Sequence, residues 1–446
     1  MKMTRSLLAL LAAVGLALNA AQAALPETIA TSDIQPGMTG YGLTVFHGTT
    51  IEKFNVQVIG VLPFADLDDD WIMIRITSGP VAERSSGVVG GMSGSPVFIG
   101  DKLAGAVAFG YPMPRESVAF VQPIGQMLRA LDAAQAPETL VDGSVQRLER
   151  PMMVMGRSVD RVRVGDGPGR DGELVAEPLA TPLAVSGLGQ SGLERLGRAL
   201  APYRLALQAA PAGRASGQVD MQPGQAVGVL LVDGDIRAAG TGTLTWRDGD
   251  RLLAFGHPMM QRGRVKMPLC GASIVDFFNG IQRSDKVSVA LDPCGTLEAD
   301  TRWGIAGRLG AAPPMVPVRL ALNDPQAGWR RQWRFGVLND RTMGPALAFN
   351  ILGSLLDGTC GELTKVGFTA RTVVRFAGRE TIDRTRVGYV GSGGAMATVT
   401  EVMAAVQTAI TAPFDDLHLD GIELTVDLTH GDPTATMVRA RFEQQQ

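Results

Sequence analysis

The sequence predicts a mainly β protein: two chymotrypsin-like β-barrels, a short helical connector between them and a C-terminal α+β appendage. Glycine supplies 55 of the 446 residues while aromatic residues make up only 5%, a balance that suits tight turns between many short strands. Hydrophobic residues are 45% of the chain, enough to bury the cores of two or three domains. Short apolar runs punctuated by glycine fill two separate stretches, each the length of one small barrel. Lys and Arg number 41 against 44 Asp and Glu, for a net charge of -3. No basic field is present to hold a polyanion, so nucleic acid is not expected as a partner.

Residues 1–23 read as an export signal. Lys2 and Arg5 precede an apolar run from Leu7 to Leu18, and Ala21-Gln22-Ala23 supplies the small residues of a cleavage site. The run is too short to span a bilayer, and no cysteine follows Ala23 to take a lipid. The mature chain is therefore expected in a periplasm or outside the cell, with no transmembrane segment. Cys270, Cys294 and Cys360 would meet an oxidising compartment there. If a disulfide forms, Cys270 to Cys294 is the expected pair, and the three Cys-Gly dipeptides look like turns rather than a zinc set.

Residues 24–140 read as the first barrel, with strands at Tyr41 to Phe46, Phe54 to Val58, Trp71 to Ile76, Pro96 to Ile99 and Leu103 to Phe109. A short helix from Gln126 to Leu131 closes it. The connector, 141–217, is rich in Arg, Gly, Pro and Ala, with one helix placing Leu193, Leu196 and Leu200 on a face. The second barrel, 218–310, opens at Pro223-Gly224-Gln225 and turns at Arg247-Asp248-Gly249-Asp250. Residues 311–446 hold further strands and two helices, one carrying Val399, Val402, Met403, Val406 and Ile410 on one face. They carry no catalytic pattern and read as a structural or partner-binding appendage. The aspartates at Asp66 and Asp68-Asp69-Asp70 lack the spacers and glycine of a calcium loop and read as solvated. Gly165 to Gly169 lacks the preceding strand and following helix of a phosphate loop. No metal or cofactor site is expected.

The strongest local signal is Gly91-Met92-Ser93-Gly94-Ser95-Pro96. Glycines on both sides of a serine let the backbone turn sharply, present the hydroxyl and aim backbone N–H groups. In chymotrypsin-like serine peptidases a Gly-x-Ser-Gly-x-Pro turn supplies the nucleophile, and the amides of its first glycine and its serine bind the oxyanion. Gly91 and Ser93 hold those positions. The alternative is a glycine-rich hairpin before a strand.

A serine needs a base to take its proton, and four histidines are available. His418 and His430 lie in the appendage and read as solvent-facing. His47 precedes Ser93 in Phe46-His47-Gly48-Thr49-Thr50, which reads as an exposed hairpin tip. His257 stands in Ala254-Phe255-Gly256-His257-Pro258, at the end of an apolar strand in the second barrel, with Gly256 and Pro258 fixing its turn.

These residues resemble the SpoIVB-type serine peptidases, the stage IV sporulation protein B family. One stretch runs from Ile51-Glu52-Lys53-Phe54 through Ile76-Thr77 and Gly91 to Pro96 to Lys102-Leu103-Ala104-Gly105-Ala106-Val107, and is similar to the family's nucleophile half. Gly242-Thr243-Leu244-Thr245 with Gly256-His257 is similar to its histidine half, and Gly295-Thr296-Leu297 to Gly304-Ile305-Ala306-Gly307 to the strand pair that follows. The resemblance implies Ser93 as nucleophile, His257 as general base and acid, and no cofactor. The sequence departs from the family in three ways. Ser93 precedes His257, so the halves are swapped along the chain. Ser78 stands where the family has an Asp, 15 residues before the serine, and becomes the candidate orienter of His257. No amino-terminal PDZ module is evident, so no sporulation role is carried over. The implied function is an exported serine endopeptidase acting on protein or peptide substrates in the cell envelope. The rival is a catalytically inactive barrel protein that binds envelope proteins or peptides by strand addition.

Overall fold

The computed structural model describes residues 26–446 apart from 66–69, 112–116, 133–143, 166, 212–215, 281–282, 361–365, 391–405, 407–417 and 432–446. The export signal, Asp66, Asp68 and Asp69 and most of the helix around Val402 therefore lie outside the described residues. Val406 is helical and buried.

Alternating apolar residues in the first stretch make six strands: β1 (Thr39–Val45), β2 (Ile51–Pro63), β3 (Asp70–Ile76), β4 (Pro96–Ile99), β5 (Lys102–Gly110) and β6 (Val118–Pro123). They pair in the order β4-β1-β2-β3-β6-β5, and β4 also pairs with β5, so the antiparallel ring closes. Closure removes free edges and buries Val56, Val58, Ile72, Ile74, Val97, Val107 and Val121 in one core. The strand β6 went unread in the sequence although all six of its residues are buried.

Beyond the first ring, β7 (Val145–Val154), β8 (Arg157–Val164), β9 (Glu173–Pro178), β10 (Thr181–Ser186) and β11 (Leu205–Ala209) precede the second barrel. The connector is thus more than a helical link. Strands β7 to β9 extend the first sheet through β5, while β10 and β11 extend the second through β13. The outermost of them offers no apolar alternation to read: β7 buries only Leu148 and Val154. The expected helix is α1 (Gln190–Leu200), with Leu196 and Leu200 buried and Leu193 packed beside them.

The second barrel comprises β12 (Ala226–Gly234), β13 (Arg237–Asp248), β14 (Arg251–Ala254), β15 (Gly263–Phe278), β16 (Asp285–Thr301) and β17 (Gly304–Leu309). The order β13-β14-β17-β16-β15-β12 returns to β13 through antiparallel pairs, a second six-stranded ring. Asp233-Gly234-Asp235 and Asp248-Gly249-Asp250 form the turns of its hairpins, as their residue types require. Strands β18 (Val316–Asp324), β19 (Trp329–Val337), β20 (Val366–Phe376), β21 (Ile382–Val390) and β22 (Leu419–His430) continue this sheet beyond β12, packed under the buried helix α2 (Met343–Cys360). None of the helices is long and apolar enough to cross a membrane, among the described residues.

The two rings dock face to face. Gly48, at the tip of the β1–β2 hairpin, exchanges backbone hydrogen bonds of 2.7 and 2.8 Å with Ile274 on β15. The exposed His47 uses Nδ1 to donate to the Val275 carbonyl at 2.8 Å, so this tip holds the barrels together. Apolar contact is shared as well: Phe98, Leu103 and Ala106 of the first barrel pack with Trp246, Leu253 and Ala299 of the second.

Candidate active site

The serine turn is fixed by hydrogen bonds at five successive carbonyls. Gly90 O accepts from Lys286 N at 2.9 Å, Gly91 O from Thr243 Oγ1 at 2.9 Å, and Met92 O from Ser95 N at 2.9 Å. Ser93 O accepts from Thr243 N at 2.7 Å and Gly94 O from Thr245 Oγ1 at 2.7 Å. Three of these five donors belong to Thr243 and Thr245 of Gly242-Thr243-Leu244-Thr245. That motif therefore clamps the serine turn from the opposite barrel.

A planar trans peptide points its N–H away from its C=O, so pinning the carbonyls also aims the amides. The amides of Gly90, Met92, Gly94 and Ser95 all donate to carbonyls. Those of Gly91 and Ser93 donate to no acceptor among the described residues. These are the two amides that the sequence marks as oxyanion donors. The close approach explains the glycine at 94: its φ is +91°, and a Cβ there would sit 1.9 Å from Thr243 O and 2.4 Å from Phe255 N.

The same packing brings the histidine turn to the serine turn. Val107 O accepts from Gly94 N at 2.8 Å and lies 3.2 Å from where a Cβ on Gly256 would be. Phe255 and Gly256 both have positive φ, +70° and +68°, a cost for Phe255 that only a well-determined surrounding sustains. Asp300, buried on β16, supports the turn from behind: its carboxylate accepts from the amides of Met259 and Met260 at 2.8 Å each and from Arg262 N at 3.3 Å. Burial raises the pKa of Asp300, against those three donors.

His257 Nδ1 lies 2.7 Å from the carbonyl of Pro258. A carbonyl only accepts, so Nδ1 carries the proton and Nε2 carries the lone pair. This is the tautomer that a general base toward serine needs. Burial lowers the imidazole to a pKa of about 4, partly opposed by the Pro258 bond, so the ring is neutral at neutral pH. Both Ser93 Oγ and His257 Nε2 are buried without a hydrogen-bond partner. The pair therefore makes no direct hydrogen bond in this conformation. His257 lines a cavity of about 840 Å³ with Phe109, Leu179, Tyr203, Leu205 and Met260, whereas Ser93 is fully covered. A substrate reaches Ser93 only if packed segments move.

Ser78 does not take the place of the family's acid. Its Oγ accepts from Asn55 N at 2.9 Å at the protein surface, and the Pro258 carbonyl occupies His257 Nδ1 instead. His430, expected in solvent, pairs through Nε2 with the buried Asp324 at 2.6 Å. The three cysteines are free thiols, so the pairing of Cys270 with Cys294 is not formed. The described residues contain no group of His, Cys, Asp and Glu that could hold a metal ion.

Sequence reasoning missed Thr243 and Thr245 as clamps, Asp300 as the anchor of the histidine turn, and Lys286. Along the start of β16 the inward residues are Lys286, Ser288 and Ala290, while Val287 and Val289 are only half-buried. The usual rule of apolar residues inward predicts the reverse. Only the barrel-to-barrel packing selects the polar face.

Comparison with known proteins gives one family. No curated protein and no solved structure matches the chain. The model of the SpoIVB peptidase S55 family matches residues 16–113, a span that includes β1 to β5 and the whole serine turn, so this part of the chain is similar to the SpoIVB peptidases.

Proposed function

We propose that this chain is a serine endopeptidase of SpoIVB type, with Ser93 as nucleophile, His257 as general base and acid, and the Gly91 and Ser93 amides as oxyanion hole. The observation that carries the reading is the selective freedom of those two amides in a turn whose other amides are bonded, beside a serine hydroxyl and an imidazole Nε2 that are likewise unpartnered. Attack by Ser93 Oγ on a peptide carbonyl passes its proton to His257 Nε2, and the two amides take up the charge on the carbonyl oxygen. His257 then gives the proton to the leaving amine, and water repeats the sequence to release the acyl group. Pro258 O holds the tautomer but cannot neutralise the imidazolium, so turnover is orders of magnitude below that of a full triad. The basic leader and cleavage pattern of residues 1–23 support export, and the substrates are then proteins or peptides of the cell envelope. In this reading the serine half precedes the histidine half along the chain.

The cover over Ser93 and the missing carboxylate at His257 favour a second reading, a silent barrel that binds envelope peptides. Reaction with a fluorophosphonate separates the two. A peptidase forms a stable adduct on Ser93 that Ser93→Ala abolishes. A folded chain that stays unlabelled under prolonged exposure is the binding protein.

A further inference from the structure

Lys286 is a charged side chain only 1% exposed, at the junction of the two barrels. Its stem lies along the serine turn: a Cβ on Gly91 would sit 3.2 Å from both Cβ and Cδ of Lys286. Its Nζ reaches across the interface and donates to Thr44 Oγ1 on β1 at 2.7 Å. Thr44 Oγ1 lies 3.3 Å from Thr243 Oγ1, which donates to Gly91 O at 2.9 Å.

The direction of this chain follows from its ends. An amine at Nζ donates, and the Gly91 carbonyl only accepts. The single proton of Thr243 is committed to Gly91, so Thr44 donates to Thr243 and must accept from Lys286. The Ser95 hydroxyl, 3.5 Å away, also donates to Thr243. Meanwhile the backbone amide of Lys286 holds Gly90 O, and that peptide carries the N–H of Gly91. One residue thus fixes the turn twice, once through its main chain and once through its side chain.

We propose that Lys286 is a positioning residue for the oxyanion-binding turn, acting through Thr44 and Thr243 on the Gly91 carbonyl. This deepens the peptidase reading and rests on it for its catalytic consequence, though not for its structural one. Burial lowers the Lys286 amine to about 7, and Glu52 on β2 opposes the shift. Phe46 presents its ring face to the amine at 5.6 Å, and Asp285, beside Lys286 in the chain, is paired with Arg283. The donor to Thr44 is therefore an ammonium below pH 7 and a neutral amine above it. Charge-assisted hydrogen bonds are about twice as strong as neutral ones, so the turn is held more firmly on the acid side.

The test uses the full chain with Lys286→Met, which keeps the stem and removes the donor, and Thr44→Val, which keeps the lysine and breaks the relay. Two measurements are made on each: hydrogen exchange of the segment 88–95, and the rate of fluorophosphonate labelling from pH 5 to 9. Both variants are expected to exchange this segment at least about tenfold faster than wild type, with β2 and β3 unchanged, and to label at least about tenfold more slowly, one misaimed oxyanion donor being worth up to 10²–10³. In the wild type the labelling rate falls as pH rises through about 7, and Lys286→Met lacks that fall. Wild-type exchange in both variants overturns the positioning role whether or not the protein labels. Faster exchange in the variants of a protein that never labels overturns the peptidase reading and leaves the positioning role standing. Should Lys286→Met fail to fold, Thr44→Val carries both measurements.

Discussion

Replacing Asp300 by Asn should loosen the histidine turn without removing any atom of it. The carboxylate accepts three backbone N–H groups, Met259 at Oδ1 and Met260 and Arg262 at Oδ2. An asparagine amide offers one oxygen, best kept at the Oδ2 site where two donors converge. Its NH2 then faces the amide of Met259, donor against donor. A hydrogen bond to a charged acceptor contributes about 1.5–3 kcal/mol, and leaving a buried N–H unsatisfied costs about 1–3 kcal/mol. Relief of a buried charge offsets part of this, since burial already raises the Asp300 pKa. The expected net loss is about 2–4 kcal/mol for the segment that carries His257. Through that loss, hydrogen exchange of residues 255–262 should quicken by about 30- to 1,000-fold, and fluorophosphonate labelling should slow as Nε2 loses its aim. Circular dichroism should be unchanged. Exchange within threefold of wild type would refute the view that Asp300 anchors the turn.

Three further outcomes follow. Because burial holds His257 at about 4 against about 6.5 in an unfolded chain, the unfolded state binds more protons between those values. Stability should then rise with pH from about 4 to 6.5, by about 3 kcal/mol, in urea titrations that a His257→Gln variant flattens, and the labelling rate should gain its acid limb near pH 4 rather than 6.5. Gly94→Ala places a methyl 1.9 Å from Thr243 O and should separate the barrels, measured as increased protease nicking in the connector; a variant as resistant as wild type contradicts the docking. Alkylation of the native protein should reach Cys294 before the buried Cys270 and Cys360, slowly because burial raises the Cys294 thiol to about 11, with three thiols counted after unfolding. A mass two daltons lower, mapping to Cys270 and Cys294, would restore the disulfide.

Much of the first barrel was legible because its strands alternate large apolar residues between glycine-bearing turns, and β4 begins at Pro96 as the sequence implies. The connector was not: β7, β8 and β9 pair in succession, as do β10 and β11, but their attachment to the rings, β9 on β5 and β10 on β13, is marked by no local apolar pattern. At the candidate site, Ser93 and His257 were singled out as candidates through glycine and proline chemistry, which is local. Their supports were not. Thr243, Asp300 and Lys286 act on backbone groups that reach them only after two rings close and dock, and no spacing in the sequence encodes that meeting. Ser78 failed as an orienter for the same reason: position relative to the serine says nothing of which group meets His257 Nδ1, and a main-chain carbonyl one residue away does so.

Peptide-bond cleavage itself is the most direct test. The chain is incubated with a denatured envelope protein mixture, and new amino termini are identified by mass spectrometry beside matched samples of Ser93→Ala and His257→Ala. The account predicts new termini that accumulate slowly with the wild type, disappear with Ser93→Ala and fall by orders of magnitude with His257→Ala. New termini that persist in Ser93→Ala, or none from a folded wild type, would contradict it.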